Sequence, residues 1–233
     1  MGFRAPSAMT VQPMTQDHRI LTVLVGSQAH GLAGPASDVD YRSVFVVPTA
    51  DLFRVSSKLS DTRMEKGLDD DTSWEVGRFL FLALQCHPLI LETFLAPIVG
   101  MDAWGAALRE LFPSVWDART AYDAFLGYCL NQRKKFLDKK DRRQEKYAAA
   151  YLRVLHNLCE LLETGRFTVR IADTRFGETM ARVTRGMVRP GEVIDLGEQL
   201  REDAARRLAR CQHMADLPSV DEYLIRIRKA FLS

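Results

Sequence analysis

Two short strings carry residue types and spacing that could do chemistry: Gly26-Ser27, which closes the apolar run Ile20 to Val25 (ILTVLV), and Asp38-Val39-Asp40, which opens a second such run. Glycine lets the backbone approach a bound anion, the first N–H groups of a following helix are unpaired, and the serine hydroxyl adds a donor, so the first string can seat a phosphate. Asp38 follows Ser27 by eleven positions. Asp38 and Asp40 stand at the start of one strand, where alternate residues share a face, so their carboxylates point together. Such a pair repels unless a cation lies between them. Mg²⁺ suits, because it prefers hard carboxylate oxygens together with substrate phosphates. A phosphate cradle beside a dicarboxylate metal site is what phosphoryl or nucleotidyl transfer requires. Gly-Ser or Asp-x-Asp alone is ordinarily a turn or a solvated loop; the ordered combination, flanked by apolar strands, is far more specific.

The elements that must hold these residues can be read along the chain. Ile20 to Val25 reads as a buried strand, Gln28 to Leu32 as one or two helical turns, and Gly34-Pro35-Ala36-Ser37 as a turn. Tyr41 to Val47 (YRSVFVV) is a second strand, closed by Pro48. Residues 49–70 are polar and read as irregular, and Thr72-x-x-Glu75 fits a capping box that predicts a helix start. Its apolar face is Phe79, Leu80, Ala83 and Leu84; Pro88 stops it, and Leu89 to Leu95 restarts as a short helix with a single acid, Glu92. Asp102 to Phe112 is a further short amphipathic helix. Long helices follow over Tyr122 to Leu137 and Glu145 to Glu163, the second stopped by Gly165. Tyr147, Tyr151, Leu155, Leu158 and Leu162 form one buried stripe on it. Phe167 to Ile171 reads as a brief strand, followed by a Gly/Arg-rich connection, a helix over Glu192 to Cys211, and a last helix capped by Ser219-x-x-Glu222. The division expected is a loose leader over residues 1–17, an α/β core over 18–117 and a helical unit over 118–233.

Composition narrows the partners. The 233 residues are 47% apolar and 27% charged, ordinary for a globular protein, which excludes a disordered or fibrous chain. A net charge of +2 advertises no global nucleic-acid binder, so any basic footprint must be local. Cys86, Cys129, Cys159 and Cys211 form no CxxC pair and read as reduced, buried small hydrophobes of a cytoplasmic protein. No apolar run approaches the roughly 18 residues of a membrane span, and the N-terminus lacks an apolar signal core. His156/Cys159 and Cys211/His213 do not supply four ligands at zinc spacing.

Gly26-Ser27, ten intervening residues and Asp38-x-Asp40 resemble the signature of the DNA polymerase β-type nucleotidyltransferase superfamily. The fuller string GSQAHGLAGPASDVDYRSVFVVP (Gly26 to Pro48) is similar to its minimal YcgL-like, RNA-ligase-associated branch, as are Trp74 to Leu95, with His87-Pro88 and Glu92, and Lys146 to Phe167, with Arg153 and LLETGRF. The chain departs from that pattern with His87 in place of asparagine, Ser43 in place of glycine and Ala150 in place of histidine. The resemblance implies an α+β fold: a small mixed sheet of the polymerase β palm kind with flanking helices, followed by a helical unit over the cleft. It implies that Gly26 and Ser27 hold the β/γ-phosphates of an NTP and that Asp38 and Asp40 bind two Mg²⁺ ions (Mn²⁺ as substitute). It also implies a third metal-binding carboxylate from a later strand, for which Asp71 is the candidate with Asp70 and Glu75 as rivals; the plain alternative is a solvated acidic cluster at a helix start.

The activity expected is transfer of NMP to a hydroxyl with release of pyrophosphate. The favoured acceptor is an RNA 3′ end, the runner-up a protein hydroxyl (AMPylation), and the third reading a non-catalytic nucleotide-binding module. Around Asn131 to Lys146 the cations Arg133, Lys134, Lys135, Lys139, Lys140, Arg142, Arg143 and Lys146 outnumber Asp138, Asp141 and Glu145, a concentration suited to triphosphate or RNA backbone, or to a solvated helix connection. Lys146, Arg153 and Asn157, at spacings of seven and four, share one helical stripe expected to face the aspartates and bind phosphate. His30 is expected near the nucleotide without a catalytic role, and Glu92 to pair with a buried arginine or amide.

Overall fold

The computed structural model describes residues 18–35, 37–55, 59–65, 69–138 and 143–232. The leader expected over 1–17, and Lys139, Lys140, Asp141 and Arg142 of the basic segment, lie outside the described residues. The frame is a five-stranded mixed sheet of β1 (His18–Val25), β2 (Val39–Val46), β3 (Thr62–Glu65), β4 (Asp69–Glu75) and β5 (Ile98–Met101), in the order β3-β4-β2-β1-β5. β1 runs antiparallel to β2 and β5, β3 antiparallel to β4, and β2 parallel to β4. Alternation sorts the side chains. Leu21, Val23 and Val25 of β1 share a face with Val44 and Val46 of β2, and all five are buried. Along β2 that same face continues into Arg42 and Asp40, so the apolar side of the sheet runs directly into the predicted site.

Between the strands lie α1 (Gly26–His30), α2 (Thr49–Leu52), α3 (Val76–Leu84) and α4 (Pro88–Leu95), followed after β5 by α5 (Ala103–Glu110). Val76, Phe79, Leu80 and Ala83 of α3, with Ile90, Leu91 and Phe94 of α4, close the core under the sheet. The helical half holds α6 (Ala118–Asp138), α7 (Gln144–Thr164), α8 (Gly177–Thr184), α9 (Pro190–Leu208) and α10 (Leu217–Ala230). α7 is its centre, packed by α6, α8 and α9, and Gly165 ends it in the left-handed conformation (φ 79°). The hydrophobic core crosses residue 117 without a break. α10 returns to the first half: Tyr223 donates to Trp104 O (3.0 Å), Thr49 Oγ1 donates to Arg228 O (2.8 Å), and Arg228 pairs with Glu75 (2.7 Å).

Several expectations change. Thr72-x-x-Glu75 is not a capping box: Thr72 lies inside β4, and Glu75 is itself the N-cap of α3, accepting from Gly77 N at 2.7 Å. The run DDDTSWE opens with three aspartates, which are poor strand formers, yet it pairs between β2 and β3, so neighbours more than local sequence make it a strand. Residues 49–70, read as irregular, contribute α2 and β3. Phe167, Val169 and Ile171 alternate inward, but without a strand beside them the segment packs on the helices and enters a 3-10 turn at Ile171–Asp173. Asp216, not Ser219, caps α10, accepting from Ser219 N. β5 and α8 were not anticipated.

Candidate active site

The site begins where β1 ends. Gly26 has φ +69°, a left-handed conformation, and a Cβ there would fall inside the van der Waals shell of Asp40 Oδ2. The cause is register: Val25, at the end of β1, is paired with Asp40 across the sheet, which brings the carboxylate against the following turn. Gly31 (φ +72°) ends α1, and a Cβ on it would lie 2.7 Å from Ala172 Cβ. α1 is thus confined between β2 on one side and the 170–172 segment on the other.

Gly26, Ser27, Asp38 and Asp40 line a cavity of about 1100 Å³. Its other walls come from Lys146 and Arg153 of α7, Arg143 just before it, Arg42 of β2, and Thr184 and Arg185 at the end of α8. The structure therefore brings together six of the seven predicted site residues: Gly26, Ser27, Asp38, Asp40, Lys146 and Arg153. Asn157, the third member of the α7 stripe, is buried behind them. Arg42 stands two residues after Asp40 on the same face, a signal that period-2 alternation already contained. Arg185 had no such signal, because α8 lies in a Gly/Arg-rich stretch without apolar periodicity long enough to declare a helix.

Asp71 is placed elsewhere. It pairs with Arg19 and accepts from Ser43 Oγ at 3.1 Å, on the sheet face away from the apolar core. Glu75 is occupied by Gly77 and Arg228. Asp70 is the residue paired with Asp40 in the β2–β4 register, and Thr72, two positions further on, lines the cavity; the side chain of Asp70 lies outside the described atoms. Ser43, standing where the resembled pattern has glycine, is fully buried and bonds Thr22 as well as Asp71.

The electrostatics of the cavity are divided. Among the described residues, neither Asp38 nor Asp40 has an ion-pair or side-chain hydrogen-bond partner, so two hard anionic oxygen donors face open space. That donor set fits a divalent cation of the Mg²⁺ kind. Arg42, Arg143, Lys146, Arg153 and Arg185 set five cations against the four acids Asp38, Asp40, Glu92 and Glu145, an arrangement that draws in phosphates. Glu92 pairs with two of these cations, Arg153 at 2.8 Å and Arg42 at 3.0 Å. Burial alone would raise its carboxyl, but Arg153, His30 and Arg42 outweigh that and hold it well below the ordinary range.

A mixed sheet carrying a Gly-Ser turn, with an aspartate pair before a cation-lined cavity, defines a nucleotidyltransferase of the polymerase β type. The sequence model of the RNA repair pathway DNA polymerase beta family (RlaP) matches residues 7–216, most of the chain, and the protein belongs to that family. No curated protein matches the chain. The assignment makes the protein an enzyme that transfers nucleotidyl groups within RNA repair.

Proposed function

We propose that the protein transfers NMP from an NTP to the 3′ hydroxyl of an RNA, releasing pyrophosphate. The observation that carries this reading is the meeting, in one cavity, of the Gly26-Ser27 turn, the partnerless Asp38 and Asp40 carboxylates and the cations of α7 and α8. Gly26 and Ser27 would receive the β/γ-phosphates, with Lys146 and Arg153 neutralising them from the opposite element. Asp38 and Asp40 would hold Mg²⁺, or Mn²⁺ in its place. When bound, the metal supplies Lewis-acid stabilisation of the transferring phosphoryl group and activation of the attacking hydroxyl. Asp70 is better suited than Asp71 to be the third carboxylate, since it is in register with Asp40 while Asp71 is committed to Arg19 and Ser43.

The acceptor is assigned to RNA on the family's pathway and on the basic ends of α6 and α7, which carry Arg133, Lys134, Lys135, Arg143 and Lys146, the last two lining the cavity. The helical half would select this acceptor. Among the described residues no single helix is long and apolar enough to cross a membrane, and the buried free thiols of Cys86, Cys129 and Cys159 fit a reducing, cytoplasmic setting.

The experiment is pyrophosphate release from each NTP with Mg²⁺ or Mn²⁺, with and without short RNAs, and with labelled products resolved on a gel. RNA-dependent release that falls by about 10³-fold or more in Asp38→Asn/Asp40→Asn supports the reading, a loss equivalent to several kcal/mol of charge stabilisation. Label on the protein itself would replace RNA by a protein hydroxyl as acceptor. NTP binding without turnover under any condition would leave a nucleotide-binding module.

A further inference from the structure

Part of the cavity wall is a buried charge cluster centred on α4. Glu92 is 1% exposed, and its carboxylate takes hydrogen bonds from three other elements. Oε1 meets His30 Nε2 of α1 at 2.6 Å and Arg153 of α7 at 2.8 Å, while Oε2 meets Arg42 of β2 at 3.0 Å. Because an ionised carboxylate only accepts, the contact with His30 requires the proton on Nε2. Arg42 donates in addition to Leu89 O at 2.8 Å, so β2 is fastened to α4 twice.

Each partner sits a short, rigid step from a residue at the front of the cavity. His30 is three residues past Ser27 on α1, Arg42 two past Asp40 on the same strand face, and Arg153 two turns past Lys146 on α7. All four members of the cluster line the cavity wall rather than the apolar core. Burial lowers the His30 imidazole and keeps it neutral at neutral pH, so two guanidinium groups against one carboxylate leave the wall cationic toward a phosphate.

We propose that Glu92 is the positioning residue of this site: from α4 it clasps α1, β2 and α7 to one another, His30 being the clasp on α1, so that the Gly26-Ser27 turn, Asp40 and Lys146 keep one mutual geometry. The catalytic part of this inference rests on the nucleotidyl-transfer reading. A buried ion cluster that served only the fold could be weakened at any member with the same uniform loss of stability. A positioning cluster behaves differently, because a displacement of about 1 Å in reacting groups costs about 10²-fold in rate while ground-state binding changes little.

The test uses the full chain and the variants His30→Ala, His30→Gln and Glu92→Gln. Three quantities are read: NTP affinity with Mg²⁺, the rate constant of NMP transfer, and amide hydrogen exchange over residues 26–31 against α10. His30→Ala leaves Glu92 paired with both arginines, so it tests the clasp even where Glu92→Gln fails to fold. The expected result for His30→Ala is a loss of about tenfold or more in kcat, with KM for NTP within about threefold. Exchange should accelerate over 26–31 but not over α10. His30→Gln, which keeps an N–H donor near the place of Nε2, should restore kcat to within about threefold of the wild type.

Unchanged exchange over 26–31, or acceleration equal to that of α10, would overturn the proposal. So would a His30→Gln variant as slow as His30→Ala that also loses a limb of the pH–rate profile, since His30 would then be carrying a proton. A wild type that transfers nothing to any acceptor would defeat the transfer reading alone; exchange over 26–31 would still decide whether His30 and Glu92 clasp α1.

Discussion

At the scale of single residues, two demands meet at Gly26: a left-handed backbone and a carboxylate where a Cβ would go. Gly26→Ala should therefore cost about 1–2 kcal/mol in stability through the backbone alone. It should also slow transfer about tenfold or more by displacing Asp40. Thermal melts and single-turnover rates measure the two effects separately, and an alanine variant with wild-type rate would show that Asp40 has room to move. The neighbouring aspartates give a sharper comparison. Asp71→Asn weakens the pairing with Arg19 and Ser43, whose arginine side chain is 43% exposed. It should lower stability by about 1 kcal/mol or less and leave the rate within about threefold. Asp70→Asn, in register with Asp40, should remove about 10²-fold or more of the rate with little change in melting. The reverse pattern would return the third carboxylate to Asp71.

At the scale of elements, the helical half is more than a lid, because α7 contributes Lys146 and Arg153 to the cavity and Arg185 follows the last residue of α8 there. α8 is eight residues long, and its buried Met180 and Val183 hold it against α7. That short contact is how a polar, arginine-rich stretch becomes an ordered wall of the site. The exposed end of α6 presents Lys134 and Lys135, the latter 5.6 Å over the Tyr147 ring. If this end tracks an RNA backbone, Lys134→Ala/Lys135→Ala should reduce the slope of log affinity against log salt by about 1.4 for a single strand. NTP affinity should stay within about twofold, as neither lysine lines the cavity. An unchanged slope in a salt titration would remove these two side chains from the RNA path.

At the scale of the whole molecule, the buried histidines and Glu92 make stability depend on pH in one direction. Burial holds the imidazoles of His30 and His156 below their ordinary value of 6.5. Below that value the unfolded chain binds more protons than the folded one, so stability declines as the pH falls through 6.5 toward the folded values. Glu92 is depressed well below its ordinary 4.5. Its contribution is therefore present above that value and lost as pH falls through the folded one. Both effects favour the neutral side, so calorimetric Tm should fall between about pH 7.5 and about pH 5.5, and further in acid. A flat profile would mean that these side chains exchange with water more freely than their burial implies. The same scale explains why residue 117 marks a change of character along the chain but no gap in packing: α10 docks on α3 and α5, and its Arg228 reaches Glu75.

Sequence alone determined what local pattern encodes. Ile20 to Val25 is an apolar and β-branched run and Tyr41 to Val47 ends in one, Gly165 ends a helix because it can take positive φ, and Gly-Ser followed by Asp-x-Asp announces its chemistry through residue type and order. The pairing of Lys146 with Arg153 on one helical stripe was likewise legible from the helical period. Tertiary structure decided what depends on a neighbour. Asp69 to Glu75 is a strand because β2 and β3 bond to it, and that parallel register turns Asp71 toward Arg19 while setting Asp70 opposite Asp40. Glu92 could be read as needing a partner, but not as joining α1, β2 and α7, since its three partners lie 50 to 62 residues away. Local pattern reports propensity and period; it carries no information on which strand or helix arrives from far along the chain, and the register of that arrival sets which residue of β4 lies opposite Asp40.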